Sequence, residues 1–255
     1  MSSHSGPREW DADTYDRVAD VQLEWGLAVL PRLPLRGDET VLDAGCGSGR
    51  LTEKLLERLP RGRLLAVDGS EDMVRKARER LGDRAEVWQA DLAVLELEAP
   101  VDAVFSNAVF HWVPDHRTLF ERLHQALLPG GRLVAQCGGE GNVASLTRVL
   151  GSLRTREPFR AHLAGVGGMW KFASPEQTAE NLRWAGFTEI ETGLQPWPVR
   201  PAHPREFLRA VSLGPHLAAL PEGLHEQFLD SVQEAMGDPL ELDYVRLNID
   251  ARRPA

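Results

Sequence analysis

The sequence predicts an α/β fold, a doubly wound, mostly parallel seven-stranded sheet with an antiparallel last strand and a helical insert. Three observations carry this. Apolar strand-like runs alternate with amphipathic stretches of about ten residues, the pattern of right-handed βαβ units. Residues 41–49, Val-Leu-Asp-Ala-Gly-Cys-Gly-Ser-Gly, form a strand that ends in an acid and then three glycines at alternate positions. Polar residues then recur where apolar runs stop: Asp68 lies 23 positions after Gly45, Asp91 23 further on, and Asn107 16 after that. In an open α/β sheet those are the carboxyl ends of strands, where ligands bind.

Taken in order, residues 10–33 carry apolar positions at helical spacing, and Pro31 and Pro34 end the unit. Strands are expected at Thr40–Asp43, Leu64–Asp68, Ala85–Ala90, Val101–Asn107 and Arg132–Cys137, with helices over Arg50–Leu59, Glu71–Leu81 and Thr118–Leu127. Ser70 suits an N-cap, with Glu71 and Asp72 in the first turn. Pro129-Gly130-Gly131 suits a type II turn. Ser174-Pro175-Glu176-Gln177 reads as a capping box with proline at N1, opening a helix that runs to Gly186. Phe187–Thr192 is a sixth strand and residues 204–236 are helical. The last strand, Leu242–Ala251, sets Leu242, Tyr244 and Arg246 on one face against Val245, Leu247 and Ile249. Separated only by a helical insert, the two late strands could form an antiparallel edge pair.

The chain has 255 residues, enough for one large α/β domain, and 42% are hydrophobic. A net charge of −9 argues against non-specific nucleic-acid binding and against attraction to anionic membranes. No run of 18 apolar residues predicts a membrane span, and the N-terminus lacks the apolar core of a signal peptide. Two cysteines, Cys46 and Cys137, neither staple a scaffold nor build a metal site alone. The expectation is a cytoplasmic protein, monomer or homodimer, without a metal.

Two cofactors compete for the glycine turn. A nicotinamide dinucleotide fingerprint needs its third glycine where Arg50 stands, and the acid at Asp43 sits poorly with a pyrophosphate. The other is S-adenosylmethionine (SAM). Five stretches in order, VLDAGCGSG, AVDGSEDM, QADL, FSNAVFHWVPDH and LLPGGRL, resemble the class I SAM-dependent methyltransferases, whose core is Rossmann-like. The Trp10-Asp11…Tyr15 opening and His-Trp-Val-Pro-Asp-His resemble the trans-aconitate methyltransferase group.

That resemblance implies one methyltransferase domain over 1–255. It would have an N-terminal helical cap (1–36), a SAM-binding core (37–140), acceptor-site or lid segments (141–185 and 200–238) and a last strand (241–252). It implies that Asp43, Gly45 and Gly47 hold the methionine end of SAM, with Cys46 among the cofactor-binding residues, and that Asp68 takes both ribose hydroxyls. Gly69, Ser70 and Met73 would flank the adenine, Asp91 and Leu92 would read its edge, and Asn107 would line the methyl-donor end. Gln22 and Tyr15 would close over the cofactor, which leaves as S-adenosylhomocysteine (SAH). As a bare residue, Cys46 reads as a packing residue of the turn, since no activating partner is apparent.

Because the sulfonium methyl is already electrophilic, catalysis is mostly alignment and exclusion of water. A hydroxyl acceptor needs a positioned base and a carboxylate does not. His111, with Asp115 and His116, is the candidate base, against the alternative that Asp115 and His116 only cap the next helix. Trp112 and Trp170 are candidate walls of the acceptor pocket. Arg148, Arg154, Arg156, Arg160 and Lys171 suit an acidic acceptor, whereas Trp170, Phe172 and Trp197 suit an apolar one; the sequence does not choose. The expected reaction is O-methylation of a small-molecule carboxylate or hydroxyl. The alternatives are C-methylation of an apolar, lipid-like acceptor and SAM binding without transfer.

Overall fold

The computed structural model describes Glu9, Trp10, Ala12, Asp13, Asp16 and residues 20–255. Tyr15 lies outside the described residues. Seven strands, β1 (Thr40–Ala44), β2 (Arg63–Asp68), β3 (Glu86–Gln89), β4 (Val101–Asn107), β5 (Leu127–Gly138), β6 (Thr188–Pro196) and β7 (Val245–Arg252), form one sheet in the order β3-β2-β1-β4-β5-β7-β6. The β1–β2, β2–β3, β1–β4 and β4–β5 pairs are parallel, and β7 is antiparallel to both β5 and β6. The late pair is therefore antiparallel as expected, with β6 at the edge and β7 one place inside. After β1 the chain winds outward to β3, then returns to lay β4 on the other side of β1. That reversal opens a crevice at the carboxyl ends of β1 and β4.

The flanking helices are α1 (Asp20–Val29), α2 (Arg50–Leu56), α3 (Glu71–Leu81), α4 (His116–Ala126), α5 (Ala144–Leu153), α6 (Arg160–Leu163), α7 (Pro175–Trp184), α8 (Pro204–Phe207), α9 (Gly214–Ala219) and α10 (His225–Met236). Local signals set their starts. Ser70 Oγ accepts the Met73 N–H at 3.3 Å, and Ser174 and Gln177 form the full capping box. Asp115 caps α4 by accepting from Arg117 and Thr118 N–H. The helical stretch expected over 204–236 is built of three α-helices with a π turn at Leu208–Ser212 after the first, and Pro215, Pro221 and Gly223 punctuate it.

β5 starts earlier than expected. Leu127 already pairs with Val101, and the register then shifts so that Arg132 pairs with Ala103. Pro129-Gly130-Gly131 is bulged out between them, with Gly130 at φ 79°, the left-handed second corner of a type II turn.

The two larger apolar clusters that cover the sheet hold Leu42, Val104, Phe120 and Leu133 in one and Val41, Leu55, Phe105 and Val134 in the other. A third joins Trp25 of α1 to Leu146, Phe159, Phe207, Phe228 and Tyr244. The chain before β1, the segment after β5 and the insert before β7 thus share one core of their own. No helix among the described residues is long and apolar enough to cross a membrane.

Candidate active site

A cavity of about 1000 Å³ opens between the crevice and that helical cluster. The glycine turn forms its floor. Gly45 and Cys46 N–H groups donate to Val67 O on β2 at 2.8 and 2.9 Å, which folds the turn back onto the neighbouring strand. Gly45, at φ 91°, has Val109 where its Cβ would be, 2.2 Å away, so this glycine serves close packing of the turn on the loop after β4. Gly47, at φ 55°, would direct a Cβ into open space, and it is the one that leaves a cradle. Cys46 lines the cavity, but burial beside Asp43 and Asp68 pushes its thiol well up, which keeps it an unreactive packing group.

The acids follow at the strand ends. Asp43 is 2% exposed and accepts the Thr52 hydroxyl at 2.7 Å. Burial, with some help from the Asp68 charge, pushes its carboxyl up to about 7 against that hydrogen bond. Asp68 accepts the Gly47 N–H on one oxygen and the Ser70 N–H on the other, at 2.9 and 3.0 Å; burial nonetheless raises its pKa. Each oxygen keeps a lone pair for a vicinal diol. Gly69 and Met73 lie beside it in the wall, and Asp91 and Leu92 continue it. Asp91 spends one oxygen on the Ala93 N–H and keeps the other.

Gln22 and Asn107 close this half. The Asn107 amide donates to the Gln22 carbonyl at 3.0 Å, tying β4 to α1. Among the described residues, the side-chain oxygens of both, Gln22 Oε1 and Asn107 Oδ1, are buried without a hydrogen-bond partner. Two orphaned acceptors beside two carboxylates are what an ammonium and sulfonium ligand would satisfy, so the residues present fit SAM. Ala108, the next wall residue, holds a left-handed φ of 63° without being glycine. Strain of this kind collects at ligand sites.

The other half of the cavity is different in character. His111 is 8% exposed, and its Nδ1 accepts the Gly138 N–H at 3.2 Å. Burial, and then the Arg246 charge, holds its pKa well below the ordinary histidine value. The ring is therefore neutral with its proton on Nε2, and it presents a donor. Arg246 on β7 is 1% exposed; it stacks 4.0 Å over Trp25, and its Nε donates to Gln136 at 3.2 Å. Tyr244 is 7% exposed with its phenol pushed up by burial to about 12, so it stays protonated. Around these three donors stand aromatic rings. Trp112 is 5.2 Å from His111, Phe172 is 5.8 Å from it, and Trp170 stacks on Phe172 at 5.6 Å.

Several expectations part company with this arrangement. His116 does not line the cavity: it is buried at the start of α4 with Nε2 at 3.0 Å from Phe110 O, and of the two residues expected to cap that helix Asp115 alone does so. Asp115 does reach the wall, but its carboxylate is occupied in capping α4. Of the suggested arginines and lysine none lines the cavity. Arg154 lies across Gly167 and donates to the Leu163 and Ala164 carbonyls, while Arg160 pairs with Glu157 on the surface. Trp197 packs into the helical cluster instead. Arg246 reads from sequence as the polar face of an alternating strand, and the signal that it is covered is that it shares that face with Leu242 and Tyr244.

The chain matches a methyltransferase domain model over residues 41–131. It is 35% identical over 227 residues to trans-aconitate 2-methyltransferase from Azoarcus sp. (strain BH72), covering 86% of each chain. To the protein of that name from Methylobacterium nodulans it is 32% identical, covering 90% of each. Among solved structures, the fold resembles Haemonchus contortus phosphoethanolamine N-methyltransferase 2 in complex with phosphomonomethylethanolamine and SAH. There the TM-score is 0.59 at 21% identity, over 91% of this chain and 53% of that one. Glycine turn, strand-end acids, orphaned acceptors and relatives agree: the chain belongs to the trans-aconitate 2-methyltransferase family of the class I SAM-dependent methyltransferases.

Proposed function

We propose that the protein methylates a carboxylate oxygen of a small-molecule acid to give a methyl ester. The observation that carries this is the group formed by Arg246, His111 and Tyr244. It comprises a buried cation, a neutral imidazole held as an N–H donor, and a protonated phenol, all in the cavity wall. Such a set is rich in donors and carries one positive charge, and it suits an anion. The relatives' name, which specifies a carboxylic acid, supports the same reading.

In this reading Asp43, Gln22 and Asn107 hold the cationic end of SAM, Asp68 the ribose, and Gly69, Met73, Asp91 and Leu92 the adenine. SAM supplies an electrophilic methyl group. His111 serves as a binding donor and not as a base, since its Nδ1 is taken by Gly138. A carboxylate is already ionised near pH 7 and needs no proton removed. The segments 141–185 and 200–238 supply the acceptor walls, through Val143, Trp170 and Phe172 from the first and Val211 from the second. Two free buried cysteines fit the reducing cytoplasm expected from the composition.

The test is incubation with methyl-labelled SAM and a mixed panel of mono-, di- and tricarboxylic acids. Label released as methanol by mild alkali supports ester formation. Transferred label that survives alkali, or no transfer to any acid, overturns it.

A further inference from the structure

We propose that the acceptor is a monocarboxylic acid with an apolar body. Its one carboxylate would lie on Arg246, His111 and Tyr244, and its body against Trp112, Trp170 and Phe172. This rests on the carboxylate reading above and departs from the tricarboxylate that the relatives' name implies.

The argument is one of charge against surface. Among the described residues lining the cavity there are two cations, Arg50 and Arg246. Arg50 sits at the start of α2, on the glycine-turn side. Its Nη2 donates to Asp20 at 2.6 Å and its Nη1 to the Asp16 carbonyl at 3.0 Å. Among the described residues, Arg246 is the cation lining the acceptor half. Its other walls are aromatic or aliphatic: Trp170 stacks on Phe172 with planes 17° apart, Trp112 stands edge-on to Trp170 at 6.1 Å, and Val143, Leu146 and Met169 continue the surface. The charged side chains that do line the cavity besides the arginines are Asp43, Asp68, Asp91 and Asp115, all of the wrong sign for a polyanion.

One carboxylate brought into this space meets a guanidinium and two neutral donors. A second and third would be stripped of water against indole and phenyl rings, and an unpaired buried charge is strongly disfavoured. An aryl or alkyl body loses nothing there and gains from leaving water. In the transfer itself, a lone pair of one carboxylate oxygen becomes the new O–CH₃ bond. The S–CH₃ electrons return to sulfur, and the two charges cancel with no proton released. The reaction thus leaves a neutral ester in an apolar pocket.

The experiment compares kcat/KM for decanoate, trans-cinnamate and trans-aconitate with the full-length protein and SAM. Decanoate or trans-cinnamate should exceed trans-aconitate by roughly 100-fold, the order expected for leaving a charge unpaired. Trans-aconitate equal to or better than both overturns this proposal and leaves the carboxylate reading standing. No ester from any of the three, in a protein whose melting temperature SAH still raises, overturns both. Trp170 is half-buried, so Trp170→Ala should fold, as the SAH shift will report. It should lower kcat/KM for the apolar acids about tenfold, while trans-aconitate changes little. Trp170→Arg should move the ratio further toward trans-aconitate by adding a cation. Equal losses on all acids in both variants would refute the role given to the apolar wall.

Discussion

Replacing Asp43 by asparagine should stabilise the ligand-free protein at high pH while weakening its grip on the cofactor. Asp43 is buried at the end of β1, and its carboxyl is pushed from an ordinary 3.8 to about 7. Between those values the folded protein keeps a proton that the unfolded chain has released. The stability associated with that proton is therefore fully present below about pH 4 and is lost as pH rises through 7. The step from 3.8 to about 7 corresponds to about 4 kcal/mol. Asparagine retains an oxygen for the Thr52 hydroxyl but brings an amide N–H₂ that needs partners, which costs about 1–2 kcal/mol. The net expectation at pH 8 is a gain of roughly 2 kcal/mol, a rise in melting temperature of about 4–8 °C for a chain this size. At pH 5, where the wild-type carboxyl is already protonated, the gain should vanish or reverse. SAH affinity should fall by about 10–100-fold through loss of a charge-assisted contact to its ammonium. Thermal unfolding of both proteins at pH 5, 6, 7 and 8, with calorimetric titration of SAH, measures all of this. A stability difference independent of pH, or unchanged SAH affinity, would refute the placement of Asp43 as a desolvated partner of the cofactor's cation.

Further outcomes follow from the same site. Wild-type SAH affinity should weaken as pH falls below about 7, where Asp43 takes up its proton. Titrations at pH 6 and 8 should differ by up to about tenfold, and Asp43→Asn should abolish the difference. With acceptor and SAM both saturating, kcat should be flat from pH 7 to 9, because His111 stays neutral and no base is used; a unit slope in that range would point to a base instead. Gly45→Ala and Gly47→Ala should separate packing from binding. The first forces a methyl to within 2.2 Å of Val109 and should cost roughly 3 kcal/mol or more in stability, read by denaturant unfolding. The second costs about 1 kcal/mol for its left-handed backbone but projects into the open cradle, so SAH affinity should drop more than tenfold.

That Asp43, Asp68, Asp91 and Asn107 line one cavity is legible in the sequence because each of these features is local. A glycine turn needs its glycines whatever lies around it, and Asp68, Asp91 and Asn107 are placed by the strands that end at them. The wall aromatics Trp112, Trp170 and Phe172 are likewise where their motifs suggest. The anion seat proposed for the acceptor is not local. Arg246 looks like the solvent face of a late strand until β7 is inserted between β5 and β6 and the helical cluster covers that end of the sheet. The arginines of α5 and the loop after it invite the opposite error. They are numerous and near in sequence, but helix phase turns Arg148 to solvent and Arg154 toward carbonyls of its own segment. His116 and Asp115 share a motif with His111, yet Asp115 is taken up in capping α4 and the His116 ring turns to the Phe110 carbonyl. Where a side chain's role depends on what a distant element covers, periodicity alone assigns it to the surface.

The most direct test of the carboxylate seat is acid-dependent stabilisation of the SAH-loaded protein, wild type against Arg246→Met. The acid is whichever of decanoate, trans-cinnamate and trans-aconitate is turned over fastest. SAH alone should raise the melting temperature of both proteins equally. Acid at 100 times its Kd should then add about 2.7 kcal/mol, roughly 5 °C or more, to the wild type and little or nothing to Arg246→Met. Equal stabilisation of both proteins by the acid would contradict the account.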